Sequence, residues 1–267
     1  HVQDGSIILL DYAQIQADDA TINVSGGSIL GYDNSIIWTD NSTSTVVDGG
    51  NITITDNSLM LVSGASSVLV TVAPTTQGAV FAQGESVIQI IENSIFEVNQ
   101  GAVVSQGESL VQISGNSLLE VNQGSVIVTE HATMQNSDST ISINSGNLNF
   151  LDYSTLQAIP GSFIEVLGGG NLTAAGVGVH LDFCDSYTRI VRGDFILAIR
   201  STLFSKRSTF EVFEAGNVIF TDISRAVMEE NSLVSIFGGG NLEMFRSAFF
   251  SLDIASSVQV GNGGSAL

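Results

Sequence analysis

The chain has 267 residues with 28 Gly, 2 Pro and 1 Cys, and its formal net charge is −20 with only 7 Lys and Arg. Proteins bind nucleic acids and anionic lipids through clustered basic side chains, so we expect this chain to bind neither. The hydrophobic fraction of 43% is enough for a packed core. No apolar run approaches the roughly 18 residues of a membrane span, so we expect no membrane insertion.

Glycines recur along the whole chain at intervals of 22 to 24 residues, with one interval of 28. They are Gly5, Gly27, Gly50, Gly78, Gly101, Gly124, Gly146, Gly170, Gly193, Gly216, Gly240 and Gly263. Twelve such marks enclose eleven coils of about 23 residues, which is typical of a solenoid repeat. The longer third interval predicts a corner loop inserted near residues 72–76.

Each coil divides into three edges of about eight residues, most of which begin at a serine. One coil is marked by Gly101, Ser109 and Ser117, and apolar residues such as Val111 and Ile113 follow two and four positions after a mark. An alternation of period two indicates β-strands. We therefore predict a single all-β domain over residues 1–267: a triangular, single-stranded parallel β-helix (β-solenoid) with coils from residue 5 to 263.

The coil length, the Gly-Gly-Ser-Ile and Gly-Gly-Asn-Leu turns and the stretch from Phe96 to Asn99 resemble right-handed β-helical surface proteins. These include autotransporter passengers, filamentous adhesins and the polymorphic outer-membrane proteins, and the resemblance covers Gly5 to Gly263. It implies a right-handed winding and an extracellular or cell-surface location. It also implies a role in adhesion or as a structural stalk.

Four successive glutamines occupy outward positions of the second edge: Gln89, Gln112, Gln135 and Gln157. Stacked amides hydrogen-bond along such a row, as in cross-β assemblies. The pattern predicts that the row continues at Leu181, where the register is doubtful.

Apolar residues flank the glutamines on the same face, and contiguous apolar patches mark interfaces. We interpret them as an assembly face for further copies of the chain, although strand propensity alone can also place such residues on a solvated sheet. They are Ile36, Trp38, Leu59 and Leu61 towards one end, and Phe204, Val227 and Phe249 towards the other. The first edge adds outward Ile8, Leu30, Phe81, Val104, Ile127, Ile196 and Ile219.

Charged residues occupy the outward row of the third edge. Glu165, Arg189 and Glu211 alternate in sign and predict a ladder of ion pairs. Glu97 and Glu120 lie one strand apart and should repel each other unless they are protonated or bridged by a cation.

Some β-helices are pectate lyases and polygalacturonases, and these enzymes need an outward cluster of acidic and basic residues. The best candidates are His180, Asp182, Asp185, Arg189 and Arg192, with His180 and Asp182 outside together if Leu181 and Phe183 point inward. No polygalacturonase motif and no histidine pair at zinc-ligand spacing occurs. We therefore expect no enzyme activity, no metal and no cofactor, and we expect the single Cys184 to be a buried thiol.

Asn-x-Ser/Thr sequons occur at Asn23, Asn41, Asn51 and Asn171, at outward or corner positions where N-glycans could be attached. Arg192, Gly193 and Asp194 form an integrin-type tripeptide at a corner, where the repeat already accounts for the glycine.

The function predicted first is a non-enzymatic extracellular structural protein that forms part of a self-assembling filament or stalk. Residues 1–188 carry 19 acids and no Lys or Arg, whereas residues 189–267 carry 8 acids and 7 bases, so end-to-end assembly would favour head-to-tail order. No end cap is visible, and the coils look able to continue into another copy or more chain. The alternative is a cell-surface adhesin that binds glycans near Trp38, and a polysaccharide lyase or hydrolase ranks below it.

Overall fold

A computed structural model of the chain describes residues 1–71, 78–253, 255–261 and 265. Within this part the regular structure is entirely β, and the strands form three parallel sheets that each run from the first coils to the last. Each strand pairs with its equivalents one coil before and one coil after. The predicted parallel β-solenoid of about eleven coils is therefore confirmed.

Strands are numbered in chain order, and each sheet takes every third strand. The first sheet contains β2 (Ile7–Leu9), β5 (Ile29–Gly31), β8 (Ile52–Ile54), β11 (Gly78–Ala82), β14 (Gly101–Ser105), β17 (Ser125–Val128), β20 (Leu148–Leu151), β23 (Leu172–Ala175), β26 (Phe195–Ala198), β29 (Val218–Phe220) and β32 (Leu242–Met244). The second contains β3 (Gln14–Asp18), β6 (Ile36–Asp40), β9 (Leu59–Ser63), β12 (Val87–Ile90), β15 (Leu110–Ser114), β18 (Thr133–Ser137), β21 (Thr155–Ile159), β24 (His180–Cys184), β27 (Thr202–Lys206), β30 (Arg225–Glu229) and β33 (Phe249–Leu252). The third contains β1 (Val2–Gln3), β4 (Thr21–Ser25), β7 (Thr43–Val47), β10 (Ser67–Thr71), β13 (Ile95–Asn99), β16 (Leu118–Asn122), β19 (Thr140–Asn144), β22 (Phe163–Leu167), β25 (Tyr187–Val191), β28 (Thr209–Phe213), β31 (Leu233–Ile236) and β34 (Ser257–Val260).

The core fills the inside of the coils. Because side chains alternate across a strand, Val111 and Ile113 of β15 are buried while Leu110 and Gln112 face outward. The buried apolar residues form one continuous cluster from Leu9 to Leu242. Burial of this apolar surface is the main favourable free energy of the fold.

A stack of glycines forms the corner between the third and first sheets. A Cβ atom added to Gly146 would lie 1.3 Å from the carbonyl oxygen of Gly124, and one added to Gly193 would lie 1.6 Å from that of Gly170. A side chain at these positions would overlap the backbone of the preceding coil. The recurring glycine is therefore a steric requirement of the stacking.

Hydroxyl and amide side chains line two corners and bond from coil to coil. At the corner between the second and third sheets, the backbone N–H of Ser94 donates to Oγ of Ser117 at 3.2 Å, and that of Ser117 donates to Oγ of Ser139 at 3.1 Å. Just after the glycine stack, the N–H of Asn171 donates to Oδ1 of Asn147 at 2.9 Å. These side chains satisfy backbone donors at the bends, where the strand ladder is interrupted.

Among the described strands, the structure departs from the sequence-based register at β24. Leu181 is buried and Asp182 takes the outward position, because Thr155 pairs with His180 at an offset of 25 residues. The turn that contains Gly176 and Gly178 takes up the extra residues. The prediction that Leu181 continues the outward row is therefore wrong, and the alternative that placed His180 and Asp182 outside is confirmed.

Some predictions about the fold are not tested. The corner loop near residues 72–76 and the last glycine mark, Gly263, lie outside the described residues. The right-handed winding and the single domain over residues 1–267 stay predictions.

The glycine stack predicts that Gly146→Ala destabilises the protein by on the order of 3 kcal/mol, because the new Cβ displaces the backbone of the preceding coil. The matched control is Gly5→Ala, where the nearest atom to an added Cβ is Cγ1 of Val2 at 3.4 Å. Urea unfolding followed by circular dichroism measures both. Equal stability of the two variants would contradict the steric role of the stack.

Candidate functional site

The outward row of the third sheet holds the carboxylates of Glu97 and Glu120, and asparagine amides lie beside both of them. Nδ2 of Asn99 donates to Oε1 of Glu97 at 2.8 Å, and Nδ2 of Asn144 donates to Oε1 of Glu120 at 3.1 Å. Nδ2 of Asn122 donates to Oδ1 of Asn99 at 3.0 Å. The amides therefore supply donors to the two carboxylates. Protonation of the two glutamates or a cation bridging them stays a prediction.

An open groove of about 530 Å³ runs over this amide row at the edge of the third sheet. Its lining residues are uncharged and polar: Thr71, Asn99, Gln100, Asn122, Gln123, Asn144 and Ser145. Most of their amides already bond to a neighbour in the stack, as Nε2 of Gln100 does to Oε1 of Gln123 at 3.2 Å. The groove is thus a surface of mutually satisfied amides.

The glutamines of the second sheet bond along the stack in two pairs, with no hydrogen bond between the described side chains of Gln112 and Gln135, so the predicted row is confirmed in part. Nε2 of Gln89 donates to Oε1 of Gln112 at 2.9 Å, and Nε2 of Gln135 donates to Oε1 of Gln157 at 2.7 Å. An amide both donates and accepts, so each glutamine can bond to a copy of itself in the next coil. These side chains stabilise the stacking of coils.

The residues of the predicted assembly face lie on the outer side of the second sheet, in two clusters separated by the glutamines. In one cluster Ile36 pairs in register with Leu59 and Trp38 with Leu61. Nε1 of Trp38 donates to Oγ of Ser63 at 3.1 Å, so its indole is held in place. The use of this cluster for assembly stays a prediction.

The second cluster contains Phe204, Val227 and Phe249, and a charged residue interrupts it. Phe204 pairs in register with Val227, and Phe249 is 52% exposed. The guanidinium of Arg225 lies 5.5 Å from the centre of the Phe249 ring. This cluster is therefore less apolar than the sequence pattern indicates.

The candidate catalytic residues are spread over the surface. His180 and Asp182 lie on the second sheet, where Nδ1 of His180 is 2.7 Å from Oγ1 of Thr202. Asp185 lies at the next corner, Arg189 on the third sheet and Arg192 at the corner after it. Only His180 and Asp182 are brought together, so the structure does not build the five-residue cluster that a lyase or hydrolase would need.

The basic residues of this region each bind an acid. Nε of Arg192 lies 2.8 Å from Oε2 of Glu214, and NH1 of Arg189 lies 3.1 Å from Oε1 of Glu165. Glu211 accepts a hydrogen bond from the hydroxyl of Tyr187. Burial of the phenol, followed by this bond, raises the pKa of Tyr187 to about 12. The predicted ladder is thus an ion pair at Glu165 and Arg189, with Glu211 bonded to a tyrosine.

A charged cluster surrounds the guanidinium of Arg207 at the corner after β27. Arg207 binds both oxygens of Asp185, at 2.6 and 2.7 Å, and also contacts Glu230. Nζ of Lys206 lies 2.7 Å from Oε1 of Glu230. The hydrogen bonds from Arg207 and Lys206 hold the pKa values of Asp185 and Glu230 below their usual range. All of these groups are partly exposed, so solvent screens their attraction.

Cys184 lies beside this cluster on the outer side of β24 and is half-exposed, so the expectation of a buried thiol is wrong. Its Sγ donates to Oδ2 of Asp185 at 3.5 Å. Partial burial and this neighbouring carboxylate raise the pKa of the thiol. A raised pKa disfavours the reactive thiolate.

The four sequons lie on the surface. Asn41 is exposed in a turn, with φ at 44°. Asn23 accepts a hydrogen bond from the hydroxyl of Thr45 at 2.5 Å. Asn51 and Asn171 belong to the corner row after the glycines and are half-buried. Glycan attachment at these sites stays a prediction.

The fold accounts for each residue of the Arg192–Asp194 tripeptide. Gly193 belongs to the glycine stack, and the N–H of Asp194 donates to Oδ1 of Asn171 at 2.8 Å. Oδ1 of Asp194 in turn accepts from the N–H of Asn217 at 2.7 Å. Arg192 pairs with Glu214. The tripeptide thus has a structural role at this corner.

The described part of the chain offers no metal site and no membrane-spanning helix. No group of three or more His, Cys, Asp or Glu side chains there could hold a metal ion. Nor does that part contain a helix with the length and apolarity needed to cross a bilayer.

Comparisons with known proteins add little to this geometry. No protein-family model and no curated protein sequence matches the chain. A solved structure of the TibC-catalysed, hyper-glycosylated TibA fragment matches 98% of this chain and 100% of that one, with 11% identity and a TM-score of 0.28. Because these values are low, the fold assignment rests on the strand pairing of this chain itself.

The amide row predicts that Asn122→Asp destabilises the protein by about 2 kcal/mol at neutral pH, because a charged acceptor replaces a donor beside the carboxylate row. The matched control is Asn23→Asp, which keeps the acceptor for Thr45. Urea unfolding at neutral and acidic pH measures both. An unchanged stability of Asn122→Asp would show that the amides do not support the glutamates.

The Arg207 cluster predicts a pH-dependent loss of stability in Arg207→Gln. Carboxyls with a lowered pKa in the folded state stabilise it above their ordinary pKa, and this contribution is lost as the pH falls through the lowered value. The variant should therefore have a lower urea midpoint than the wild type at pH 7, and the difference should disappear in acid. Arg192→Gln, which removes a single pair between two largely exposed side chains, should change the midpoint little. A pH-independent difference for Arg207→Gln would be evidence against the ionic origin.

Proposed function

We propose that this chain is a non-enzymatic structural protein of the cell surface or the extracellular space, and that it forms part of a stalk or filament by associating with further copies of itself. The observation that carries the proposal is the continuity of the three sheets, which run through all the described coils without a break. A stack of eleven coils at about 4.8 Å each is a rod on the order of 50 Å long. A rod of this length can serve as a segment of a stalk or filament.

The hydrogen bonds and ion pairs among polar surface residues support a structural role. The side-chain amides of the third sheet and the glutamines of the second bond to their neighbours in the stack, and Arg189, Arg192, Lys206 and Arg207 bind acids. The residues proposed for catalysis are dispersed over two sheets and two corners. These groups are used to hold coils together, which leaves few of them to bind or transform a small molecule.

The apolar outward residues support self-association. The second sheet presents Ile36, Trp38, Leu59 and Leu61, and the first sheet presents a longer apolar row. Exposed apolar rows of this length mark interaction surfaces in soluble proteins. Because a chain with a net charge of −20 repels its own copies, association requires surfaces on which apolar contact outweighs that repulsion.

A second candidate function is adhesion to glycans near Trp38. This is the one tryptophan of the sequence, it is half-exposed, and its indole is fixed by the bond to Ser63. Ser63 also donates to Oδ1 of Asp40 at 3.3 Å, so a carboxylate lies close by. An aromatic ring beside polar oxygens is an arrangement that can bind a sugar ring.

Electron microscopy of the purified protein tests the proposal. We expect assembled rods at high protein concentration, and dispersed monomers at all concentrations and pH values would overturn it. A glycan array with the wild type and Trp38→Ala separates the two functions. If Trp38 only binds sugar, the substitution abolishes glycan binding and leaves assembly intact.

A further inference from the structure

The outer face of the first sheet is uncharged over most of its length, although the protein is strongly acidic. Along the coils from Ser6 to Ala175, none of the outward residues that the structure describes on this sheet carries a charge. Asp194 and Glu243 are the exceptions in the later coils. The second and third sheets, by contrast, present charged residues such as Asp182 and Glu97 on their faces.

Many of the acidic residues lie in turns and not on this face, and the backbone geometry of the turns explains why. Of the 27 Asp and Glu residues of the chain, 14 adopt a positive φ in the described turns, among them Asp11, Asp33 and Asp56 at the corner between the first and second sheets. Aspartate tolerates this left-handed conformation better than most residues do. The charge is thereby concentrated at corners, which leaves the flat face between them free of it.

A single outward row runs along the middle of this face and is mostly apolar; we refer to it as the central row. Its residues pair in register from each coil to the next: Ile8, Leu30, Thr53, Phe81, Val104, Ile127, Asn149, Thr173, Ile196, Ile219 and Glu243. Ile8 is 56% exposed, and the later apolar members of the row are half-buried by their neighbours in the stack.

We propose that a second copy of this chain packs antiparallel against the first sheet, with the two central rows in contact. This inference rests on the proposed function, because it specifies how self-association begins. It assigns the contact to the first sheet, whereas the sequence pattern drew attention to the second. Three observations support the choice of a second copy as the partner.

The central row is nearly self-complementary when reversed. If the twofold axis lies between the fifth and sixth coils, Ile8 faces Ile219, Leu30 faces Ile196, Thr53 faces Thr173, Phe81 faces Asn149 and Val104 faces Ile127. Four of these five pairs match apolar with apolar or Thr with Thr. An isologous interface requires this self-complementarity, since the twofold axis makes every contact between two residues occur twice.

The size of the face fits a stable interface. Ten or eleven coils at about 4.8 Å and strands about 15 Å long give roughly 750 Å² per copy. A standard interface takes about 800 Å² from each partner. The face is thus large enough for a specific dimer.

The distribution of charge favours the antiparallel order. Residues 1–188 have a net charge of −19 from 19 acids and no Lys or Arg, and residues 189–267 have a net charge of −1 from 8 acids and 7 bases. A parallel pair would set the two acidic parts side by side. An antiparallel pair sets the first two coils of each acidic part, those of Ile8 and Leu30, beside the nearly neutral coils of Ile219 and Ile196 in the partner, which reduces the repulsion there.

The acidic turns beside the face should oppose the contact at low ionic strength. Glu85, Glu108 and Glu130 lie in the turns that border it. Because salt screens charges at this separation, the dimer should become tighter as NaCl is raised.

Sedimentation velocity of the purified chain tests whether the first sheet forms the dimer contact. We expect a dimer in the wild type and a dissociation constant at least about tenfold higher in Val104→Glu, because the substitution puts a charge at the centre of the contact. Val104→Lys should weaken it similarly. The matched control is Leu110→Glu, at a half-buried outward residue of the second sheet in the same coil, which should leave the dimer unchanged. Circular dichroism melting confirms that each variant folds.

A cross-linking experiment tests the orientation in a Cys184→Ser background with a short bismaleimide reagent. A mixture of a Leu30→Cys chain and an Ile196→Cys chain should form cross-linked heterodimers, whereas each chain alone should not cross-link. Cross-linking of each chain with itself would overturn the antiparallel order.

The outcomes separate this inference from the proposed function. Assembly that survives Val104→Glu but is lost in Leu110→Glu would overturn the first-sheet contact and keep self-association. A wild type that stays monomeric at all salt and protein concentrations would overturn both.

Discussion

Contact between glycine backbones at one corner sets the geometry of the whole solenoid. The carbonyl oxygen of Gly124 occupies the space where a Cβ of Gly146 would lie, and the same relation holds at Gly170 and Gly193. Because no side chain fits there, each coil can lie on the next only with glycine over glycine. This constraint aligns the strands that follow, so equivalent residues of successive coils stack in rows.

Because equivalent residues stack in rows, each polar surface residue lies next to its equivalents in the neighbouring coils. Only some polar residue types are stable in such a row. A serine, asparagine or glutamine both donates and accepts, so it can bond to a copy of itself one coil away, as Gln89 does to Gln112. A carboxylate only accepts, and two stacked carboxylates repel unless a donor lies beside them, as Asn99 lies beside Glu97. Acids are therefore concentrated in left-handed turns. The acidic character and the uncharged face of the first sheet have the same cause.

The fold could be predicted from the sequence because the recurring glycines give the length of a coil. The alternation of apolar residues shows which side of each strand faces the core. Outward residues such as Gln135 and Arg189 lie where the pattern places them. The register failed at Leu181, where the turn containing Gly176 and Gly178 lengthens the coil. Periodicity cannot show how a turn absorbs extra residues.

The contacts on the surface were less predictable, because a repeat gives the direction of a side chain and not its partner. Asn99 and Asn122 recur with Glu97 and Glu120 at the same offset, which was a signal for the amide row. The pairing of Glu211 with Tyr187 rather than Arg189 depends on side-chain geometry that no spacing encodes. The scattering of the residues proposed for catalysis likewise became visible only when the three sheets were in place.

The central claim is that this rod is a structural unit whose sides, rather than a catalytic site, carry its function. Small-angle X-ray scattering across a concentration series tests it most directly, because it measures length and cross-section separately. The account predicts that association first enlarges the cross-section of the particle, as two rods on the order of 50 Å long pack side by side, and that the particle then lengthens as further copies join. A particle that lengthens while its cross-section stays that of one rod would contradict the side-by-side contact, and a chain that never associates would contradict the structural role.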